Sequence, residues 1–369
     1  MWRIEMARIS VKNVTKYYDR ELILNNISLD IKDKEFFCIT GPSGSGKTTL
    51  LKVVAGLDTN YTGRVYIDDI DVTYLAPGQR NIAMVFQEYA LYPNLMAKEN
   101  ILFPLRIKKY SNERIDQKLR STIKQIDIGI EKYLNFYPRE LSAGHKQRVA
   151  AGRAIIRDNP NVFLFDEPLS NLDAKIRMNT RTYLKKMFKE VKTTTIYVTS
   201  DSSEAMALAD RIAVLDKGRF VQIDRPFDMY FHPKNMLVAD FFGILGMNFM
   251  RGKIKDNKFA FARCRFDIPL CIKKDTIRKI AREELVLGIR PEDIGFSTTY
   301  DKSKAVAVVN FIQKIPPMVN IICKINDSII NVVNFIKNTG NIIPGMNLYL
   351  DFDKSKTHLF YLDSGDLVS

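Results

Sequence analysis

Cysteine and histidine are scarce in this chain. Its 369 residues hold four cysteines, Cys38, Cys264, Cys271 and Cys323, and three histidines. No two cysteines form a C-x-x-C pair, and Cys38 falls in an apolar run that reads as a core strand. This pattern argues against a disulfide framework and a zinc site, and suits a reduced, cytosolic protein. The histidines are far apart in sequence, which argues against a metal cluster as well. Long hydrophobic runs are also missing, and no stretch approaches the ~20 residues that a membrane-spanning helix needs. The opening Met1-Trp2-Arg3-Ile4-Glu5-Met6 is too short and too polar for a secretion signal. Regular patterning begins at Ile9, so Met6 is a candidate start beside Met1. There is no internal repeat and no low-complexity tract. Nor is there a basic patch interleaved with aromatics of the kind that grips single-stranded nucleic acid.

Positive charge, by contrast, is in excess. The net charge is +14 and the pI about 9.4. Such a balance fits nucleic acid, an anionic membrane surface or a solvated lysine-rich surface. The basic residues are dispersed, which favours the solvated surface over nucleic acid; a place beneath anionic lipid headgroups also suits them. With 46% hydrophobic and 27% charged residues, the composition is that of a soluble globular protein. The length allows two domains of ordinary size.

One stretch organises the rest. Gly41-Pro42-Ser43-Gly44-Ser45-Gly46-Lys47-Thr48-Thr49 fits G-x-x-x-x-G-K-[ST], the phosphate-binding loop. The apolar run Phe36–Ile39 before it reads as a buried strand. Leu50, Leu51, Val53 and Val54 after it have helical spacing, and Gly56 stops the helix. A loop between strand and helix is the context that the motif requires. Its glycines let backbone N–H groups converge on one point, and the helix N-terminus adds partial positive charge. Lys47 reaches for the β- and γ-phosphates, and the Thr48 hydroxyl for Mg²⁺.

Upstream, Ile9–Ile31 alternates as antiparallel strands about a turn at Asp19-Arg20. Tyr17 and Tyr18 precede that turn. An aromatic there could stack on a nucleotide base, or the pair could be two strand tyrosines on opposite faces. Downstream, Asn81–Gln87 reads as a buried strand ending in a lone glutamine. Glu88–Asn100 reads as an irregular loop with exposed apolar groups, a common mark of a docking surface. A helical insertion covers roughly 95–157 and includes a helix from Asn112 to Asp127. It closes with Leu141-Ser142-Ala143-Gly144-His145, where Ser142 suits an N-cap and opens a second helix end able to hold an anion. Val162–Phe165 is a strand apolar on both faces, ending in Asp166-Glu167. Two carboxylates at the end of a parallel strand, in a chain with a phosphate loop, point to Mg²⁺ and water chemistry. Helix Ala174–Val191, strand Thr194–Thr199 and a hairpin around Asp216-Lys217-Gly218 complete an α/β pattern with a mostly parallel sheet. From about Asn235–Met250 onward, short alternating strands replace it. That region reads as an all-β domain of one or two small barrels.

Together these motifs resemble the ATPase subunit of ABC transporters, over essentially the whole chain. Gly41–Thr48 resembles Walker A, Gln87 the Q-loop, Leu141–His145 the signature loop, Phe163–Glu167 Walker B with its catalytic glutamate, and Ser170–Asp173 the D-loop. Tyr18 stands at the adenine-stacking position. Gly288–Ile294, Asp240–Gly243 and Met247–Phe249 are similar to the regulatory domain and linker of the carbohydrate-import, maltose-type branch. Tyr89–Pro93 resembles the surface that receives a membrane subunit's coupling helix. The resemblance implies an α/β P-loop ABC ATPase domain over 1–235, with a mixed sheet and a helical subdomain at about 95–157. An all-β, OB-like regulatory domain over 236–369 would follow. It implies ATP and Mg²⁺ as cofactors, with Thr48, Gln87 and Asp166 on the metal. Glu167 would polarise the attacking water, with Ser200 at the switch position. Nucleotide contacts would come from Tyr18, the loop Gly41–Thr49, Gln87, Asp166 and Asp173. Ser142, Ala143, Gly144 and His145 would close the site from a second subunit.

The implied partners are a second ATPase subunit, in a homodimer or heterodimer, two transmembrane permease subunits and a solute-binding protein, with no nucleic acid. The implied place is the cytoplasmic face of the membrane, as a peripheral subunit. The implied cargo is a sugar or oligosaccharide; related importers carry polyamine, ferric iron, sulfate or glycerol phosphate. Two departures from the family pattern stand out: Ala143 and His145 replace a glycine and a glutamine, and Ser200 replaces a histidine. They keep open a slow or degenerate regulatory ATPase. Soluble ABC proteins of translation or DNA repair fit less well, because they carry two cassettes or a long coiled-coil insertion.

Overall fold

The computed structural model describes residues 7–126, 128–158, 160–255, 258–261, 264–267, 280, 283–302, 304–326, 328–338 and 340–368. The candidate starts Met1 and Met6 and the thiol of Cys271 lie outside the described residues. The chain divides into two compact units, Met1–Phe227 and Asp228–Ser369.

The first unit is built on two sheets. An antiparallel sheet joins β1 (Ile9–Tyr18), β2 (Glu21–Ile31), β4 (Thr62–Ile67) and β5 (Ile70–Asp71), in the order β2-β1-β4-β5. The second sheet has the order β10-β9-β3-β8-β7-β6. It comprises β3 (Phe36–Thr40), β6 (Ile82–Val85), β7 (Val162–Asp166), β8 (Thr194–Val198), β9 (Arg211–Asp216) and β10 (Arg219–Asp224). All its pairs are parallel except β9 with β10. Strands β3, β7 and β8 are buried at every residue; the apolar runs Phe36–Ile39 and Val162–Phe165 account for the first two, while β8 also buries Thr194 and Thr195. Helix α1 (Lys47–Ala55) buries Leu50, Leu51, Val53 and Val54 in one core shared by both sheets. A helix apolar on so much of its circumference must lie between layers.

The C-terminus of α1 is sealed twice. Gly56 takes a left-handed φ of 74° and donates to Val53 O. Arg80, only 2% exposed, donates to the carbonyls of Val53, Val54, Thr73 and Leu75. Arg80 thus supplies donors at the carbonyl end of α1 beyond the one from Gly56.

Helices α2 (Ala97–Ile107), α3 (Asn112–Ile126) and α4 (Ala143–Ile155) share a core with Ile101, Leu105, Ile123 and Val149. Helix α5 (Ala174–Val191) follows β7, and α6 (Ser202–Leu208) follows β8. Two readings of the sequence need correction here. Strand β6 ends at Val85, so Gln87 lies beyond the strand rather than closing it. The segment after it is also less irregular than expected. Residues from Ala97 are helical, Tyr89 is buried, and Asn100 is fully buried. The Asn100 side chain accepts from Tyr92 N–H and donates to the carbonyls of Tyr92, Leu95 and Met96. A buried amide that satisfies so many loop groups fixes the loop's shape, which composition alone does not reveal.

The second unit begins with short helices α7 (Pro226–Phe231) and α8 (Met236–Phe241), the first crossing the division between the units. It then forms two five-stranded sheets. One joins β11 (Asn248–Lys255), β12 (Lys258–Phe261), β13 (Cys264–Asp267), β14 (Leu285–Ile289) and β20 (His358–Tyr361). The other joins β15 (Ile294–Ser297), β16 (Ala305–Ile315), β17 (Met318–Ile325), β18 (Ser328–Phe335) and β19 (Asn347–Phe352). Asn248 donates to Asn331 O and accepts from Asn331 N–H, both at 2.8 Å, and so ties β11 to β18. Arg290, at the end of β14, is buried beneath the linker. Its guanidinium lies 3.7 Å from the Tyr230 ring centre and donates to the carbonyls of Tyr230, Ala239 and Phe242. Cys38 and Cys323 are buried free thiols. Among the described residues, no helix is long and apolar enough to cross a membrane.

Candidate functional site

The parallel strands deliver their chemistry at their carboxyl ends, the usual place for a ligand in an open α/β sheet. Strand β3 runs straight into the phosphate loop. Gly41 has φ 142°, and a Cβ there would sit 2.0 Å from Leu215 O, so only glycine fits. The loop ends at Gly46, the N-cap of α1, with φ 102° and no side-chain cap. The first-turn N–H groups of α1 therefore have no cap of their own. Ser45 Oγ, on the cavity wall, is buried without a protein partner. Lys47, 5% exposed, donates to Gly41 O at 3.0 Å and Pro42 O at 2.8 Å. Burial lowers the pKa of its ammonium, against the pull of Glu167 and Asp166.

Strand β7 brings the acids. Asp166 Oδ1 accepts from the Thr48 hydroxyl at 2.8 Å, which joins Walker A to Walker B. Burial raises the Asp166 pKa; the Thr48 hydroxyl, Lys52 and Lys47 pull it back. The two ammonium groups and the hydroxyl thus offset part of the desolvation but do not cancel it. Glu167 has a left-handed φ of 42°, a conformation that costs a non-glycine residue about 1–3 kcal/mol. It is held there by its N–H to Val198 O at 2.9 Å and by Ser170 Oγ donating to its carbonyl at 2.8 Å.

A cavity of about 490 Å³ gathers Tyr18, the loop from Ser43 to Thr49, Gln87 and Glu167 on one wall system. The Tyr18 ring is 43% exposed, with the Lys16 ammonium 4.5 Å from its centre. Its hydroxyl donates to Asp58 Oδ2 at 2.7 Å, and Asp58 Oδ1 accepts from Lys16 at the same distance. The bond to Asp58, then burial, raises the Tyr18 pKa. Lys16 and Asp58 thus set the ring's pose. The sequence reading missed both, because they are 42 residues apart with no motif between them. Gln87 is exposed, and its main-chain carbonyl accepts from Asn171 Nδ2 at 3.1 Å, so the segment after β6 touches the one after β7.

The remaining candidates do not line this cavity. Asp173 is the N-cap of α5, its Oδ1 accepting from Ile176 N–H at 3.0 Å. Ser200 is exposed at the end of β8. Its neighbour Thr199 donates to the buried Glu204 carboxylate at 2.9 Å, beside Tyr197 at 3.0 Å, and burial raises that acid's pKa. Ser142 caps α4, accepting from His145 N–H at 3.3 Å. The His145 ring lies on Tyr133, centroids 3.8 Å apart and planes 30° apart, and its Nδ1 is 3.0 Å from Ser142 Oγ. Burial, then Arg148, lowers the His145 pKa. Gly144 packs against α5, where a Cβ would stand 3.1 Å from Ile176. Ala143 is half-buried in the first turn.

A second cavity, of about 400 Å³, opens beside the loop after Gln87. Leu57, Met84, Phe86, Tyr92, Arg153 and Arg157 line it. Arg153 donates to Tyr89 O at 3.0 Å and Ala90 O at 2.7 Å and lies 5.6 Å from the Tyr92 ring centre. Tyr92 itself is 41% exposed and packs on Phe103.

Residues 24–170 match the family model described as ABC transporter. An oligosaccharides import ATP-binding protein of Bacillus subtilis is 38% identical over 366 residues, 96% of this chain and 98% of the relative. An sn-glycerol-3-phosphate import ATP-binding protein of Yersinia enterocolitica is 43% identical over 82% of this chain and 83% of its own length. Among solved structures, a dimeric ATP-binding cassette in a post-hydrolysis state, bound to ADP and Pi, is 36% identical with a TM-score of 0.53. It covers 59% of this chain and 98% of its own.

Proposed function

The chain belongs to the ABC transporter family as an ATP-binding, ATP-hydrolysing subunit of an importer, and from that premise we propose how its residues share the work. The observation that carries the proposal is the Thr48–Asp166 hydrogen bond beside a cavity that also holds Lys47, Gln87 and Glu167. The loop N–H groups, the Lys47 ammonium and the uncapped end of α1 bind the β- and γ-phosphates. Tyr18, held by Lys16 and Asp58, takes the adenine. The Thr48 hydroxyl, the Asp166 carboxylate and the Gln87 side-chain amide oxygen form an oxygen-only set that suits Mg²⁺, and the raised Asp166 pKa, set first by burial, fits a carboxylate that a cation would stabilise. Bound there, Mg²⁺ would neutralise charge on the phosphates. Glu167, fixed at the rim in its left-handed pose, orients and deprotonates the attacking water.

One phosphate loop leaves the γ-phosphate open to solvent on one side. A second copy, or a paralogue, closes it with the N-terminus of α4, bringing Ser142, Ala143, Gly144 and His145, while Asp173 lies at the seam. Ser200, shorter than the histidine of the family pattern, reaches that phosphate at best through water, and hydrolysis is correspondingly slow. The loop around Tyr92, braced by Asn100 and Arg153, receives a permease subunit at the second cavity. Two such permeases and a solute-binding protein complete the machine, and the subunit works on the cytoplasmic face of the membrane. The cargo is a sugar or oligosaccharide, and the Met247-Asn248-Phe249 linker favours this over glycerol phosphate. Residues 1–235 form the ATPase domain, with its helical part at about 95–157, and 236–369 the OB-like regulatory domain.

Glu167→Gln tests this assignment. It keeps ATP and stops hydrolysis, so gel filtration with ATP and Mg²⁺ should show a dimer that the wild type forms only transiently. A variant that remains monomeric under those conditions contradicts the two-copy site.

A further inference from the structure

We propose that the His145 ring controls the hydroxyl proton of Ser142, and that capture of a phosphate by the α4 N-terminus draws a proton onto His145 Nδ1. The proposal rests on the reading that Ser142 meets a nucleotide phosphate held by the partner copy.

The argument starts from a shortage of hydrogens. Ser142 Oγ has one proton and already accepts from His145 N–H. Its other close neighbour is His145 Nδ1, at 3.0 Å. With a neutral ring protonated at Nε2, Nδ1 can only accept, so the hydroxyl proton points at the ring. A phosphate oxygen also only accepts. It would then meet the oxygen of Ser142 rather than its proton, lone pair against lone pair. When Nδ1 carries a proton, the direction of the bond reverses. Nδ1–H donates to Oγ, and the hydroxyl proton is released toward the phosphate. The proton on Nδ1 comes from solvent, Nε2 keeps its own, and the ring becomes a cation beside an anion. No covalent bond forms or breaks.

The surroundings are arranged for this exchange. Tyr133, from the segment before α4, stacks on the ring and holds its plane, so Nδ1 cannot swing away from Ser142 without losing that contact. The charged group acting on the ring is Arg148 of the same helix. Burial first, and then Arg148, lower the ring's pKa from the ordinary histidine value, which favours the neutral ring in the free chain. An arriving phosphate acts in the opposite sense and raises the ring's pKa. The sign of the linkage follows. Closure is favoured as pH falls, and that advantage is lost as pH rises through the higher pKa of the closed state. His145 is therefore a positioning residue, acting on the nucleotide through Ser142.

The test uses the full chain carrying Glu167→Gln, with ATP and Mg²⁺. Its dimer dissociation constant is measured by sedimentation between about pH 6 and about pH 8, and compared with Glu167→Gln/His145→Gln. Because ATP itself titrates in this range, the double variant supplies the baseline. With His145 present, the dimer should tighten at least about fivefold more over that range than without it. In parallel, the ¹⁵N shifts of His145 in the free wild-type chain should report a neutral ring with Nδ1 unprotonated. Equal pH slopes with the dimer intact overturn this proposal alone, as does a free ring already protonated at Nδ1. Absence of a dimer at every pH overturns the two-copy reading, and this proposal with it.

Discussion

In the proposed function helices α1 and α4 both begin at a phosphate, yet their N-termini are built in opposite ways. Helix α1 starts at Gly46, in a left-handed conformation and with no side-chain cap. Its first-turn N–H groups are left over for a ligand, and on the same wall Ser45 Oγ has no partner while Lys47 donates only to the loop carbonyls of Gly41 and Pro42. Helix α4 starts at Ser142, whose hydroxyl is occupied by its own helix and by His145. The first end is a site before any ligand arrives. The second is a well-capped helix end that must give up part of its cap to act on an anion. The difference shows that one and the same dipole can be always available or available on condition, according to a single cap residue.

The most severe way to break the comparison is at Lys47. Lys47→Ala removes a side-chain cation from the wall of the α1 cavity, a charged hydrogen-bonding partner worth roughly 3 kcal/mol, so nucleotide affinity should fall roughly 100-fold. Titration with a fluorescent nucleotide checks this, and an affinity near wild type would mean that the backbone cradle alone suffices. A smaller effect is expected from Gly46→Ala. At φ 102°, with the new Cβ 2.9 Å from Ile23 O, strain of about 1–3 kcal/mol should lower the melting temperature by several degrees and loosen the loop. Calorimetry with and without ATP separates the two effects: ATP should rescue less of the melting temperature in the variant than in the wild type. The smallest effect is on the other helix. Ser142→Ala deletes a cap worth about 1 kcal/mol. The melting temperature should drop slightly, while an isolated copy holds nucleotide in its own phosphate loop as before. Weakened binding in the isolated copy would show that the two helix ends are not independent.

Sequence and structure agree most closely where chemistry forces contiguous residues. The loop from Gly41 to Thr49 is legible because one helix end needs its glycines, lysine and hydroxyl in a row. The apolar runs Phe36–Ile39 of β3 and Val162–Phe165 of β7 are legible for a related reason, since a strand buried on both faces has no room for polar alternation. The signature loop was legible as a helix start, but not the stacking of His145 on Tyr133, twelve residues upstream. Lys16 and Asp58 were hidden for the same reason: a pair that meets only through tertiary folding leaves no period in the sequence. The segment after Gln87 was misread as irregular because its order comes from one amide, Asn100, and from Arg153 on a distant helix. Turn composition predicts exposure, and a buried bracket reverses it. The two sheets that follow the short helices of the second unit were visible in the alternation of the sequence. The bond between Asn248 and Asn331 that fastens one sheet to the other was not.

Arg80 takes on a second meaning beside the nucleotide site. It lies at the far end of α1, about 13 Å from the phosphate loop by the rise of a nine-residue helix. A guanidinium on the carbonyl pole and, in the proposed function, a phosphate on the amide pole would put α1 in the orientation that an external field would choose, like a small bar magnet between matched poles. The two charges also attract each other through the low-dielectric core of the helix bed. Affinity lost on changing Arg80 would then be a property of the helix as a polarised body, acquired by a residue that never approaches the ligand.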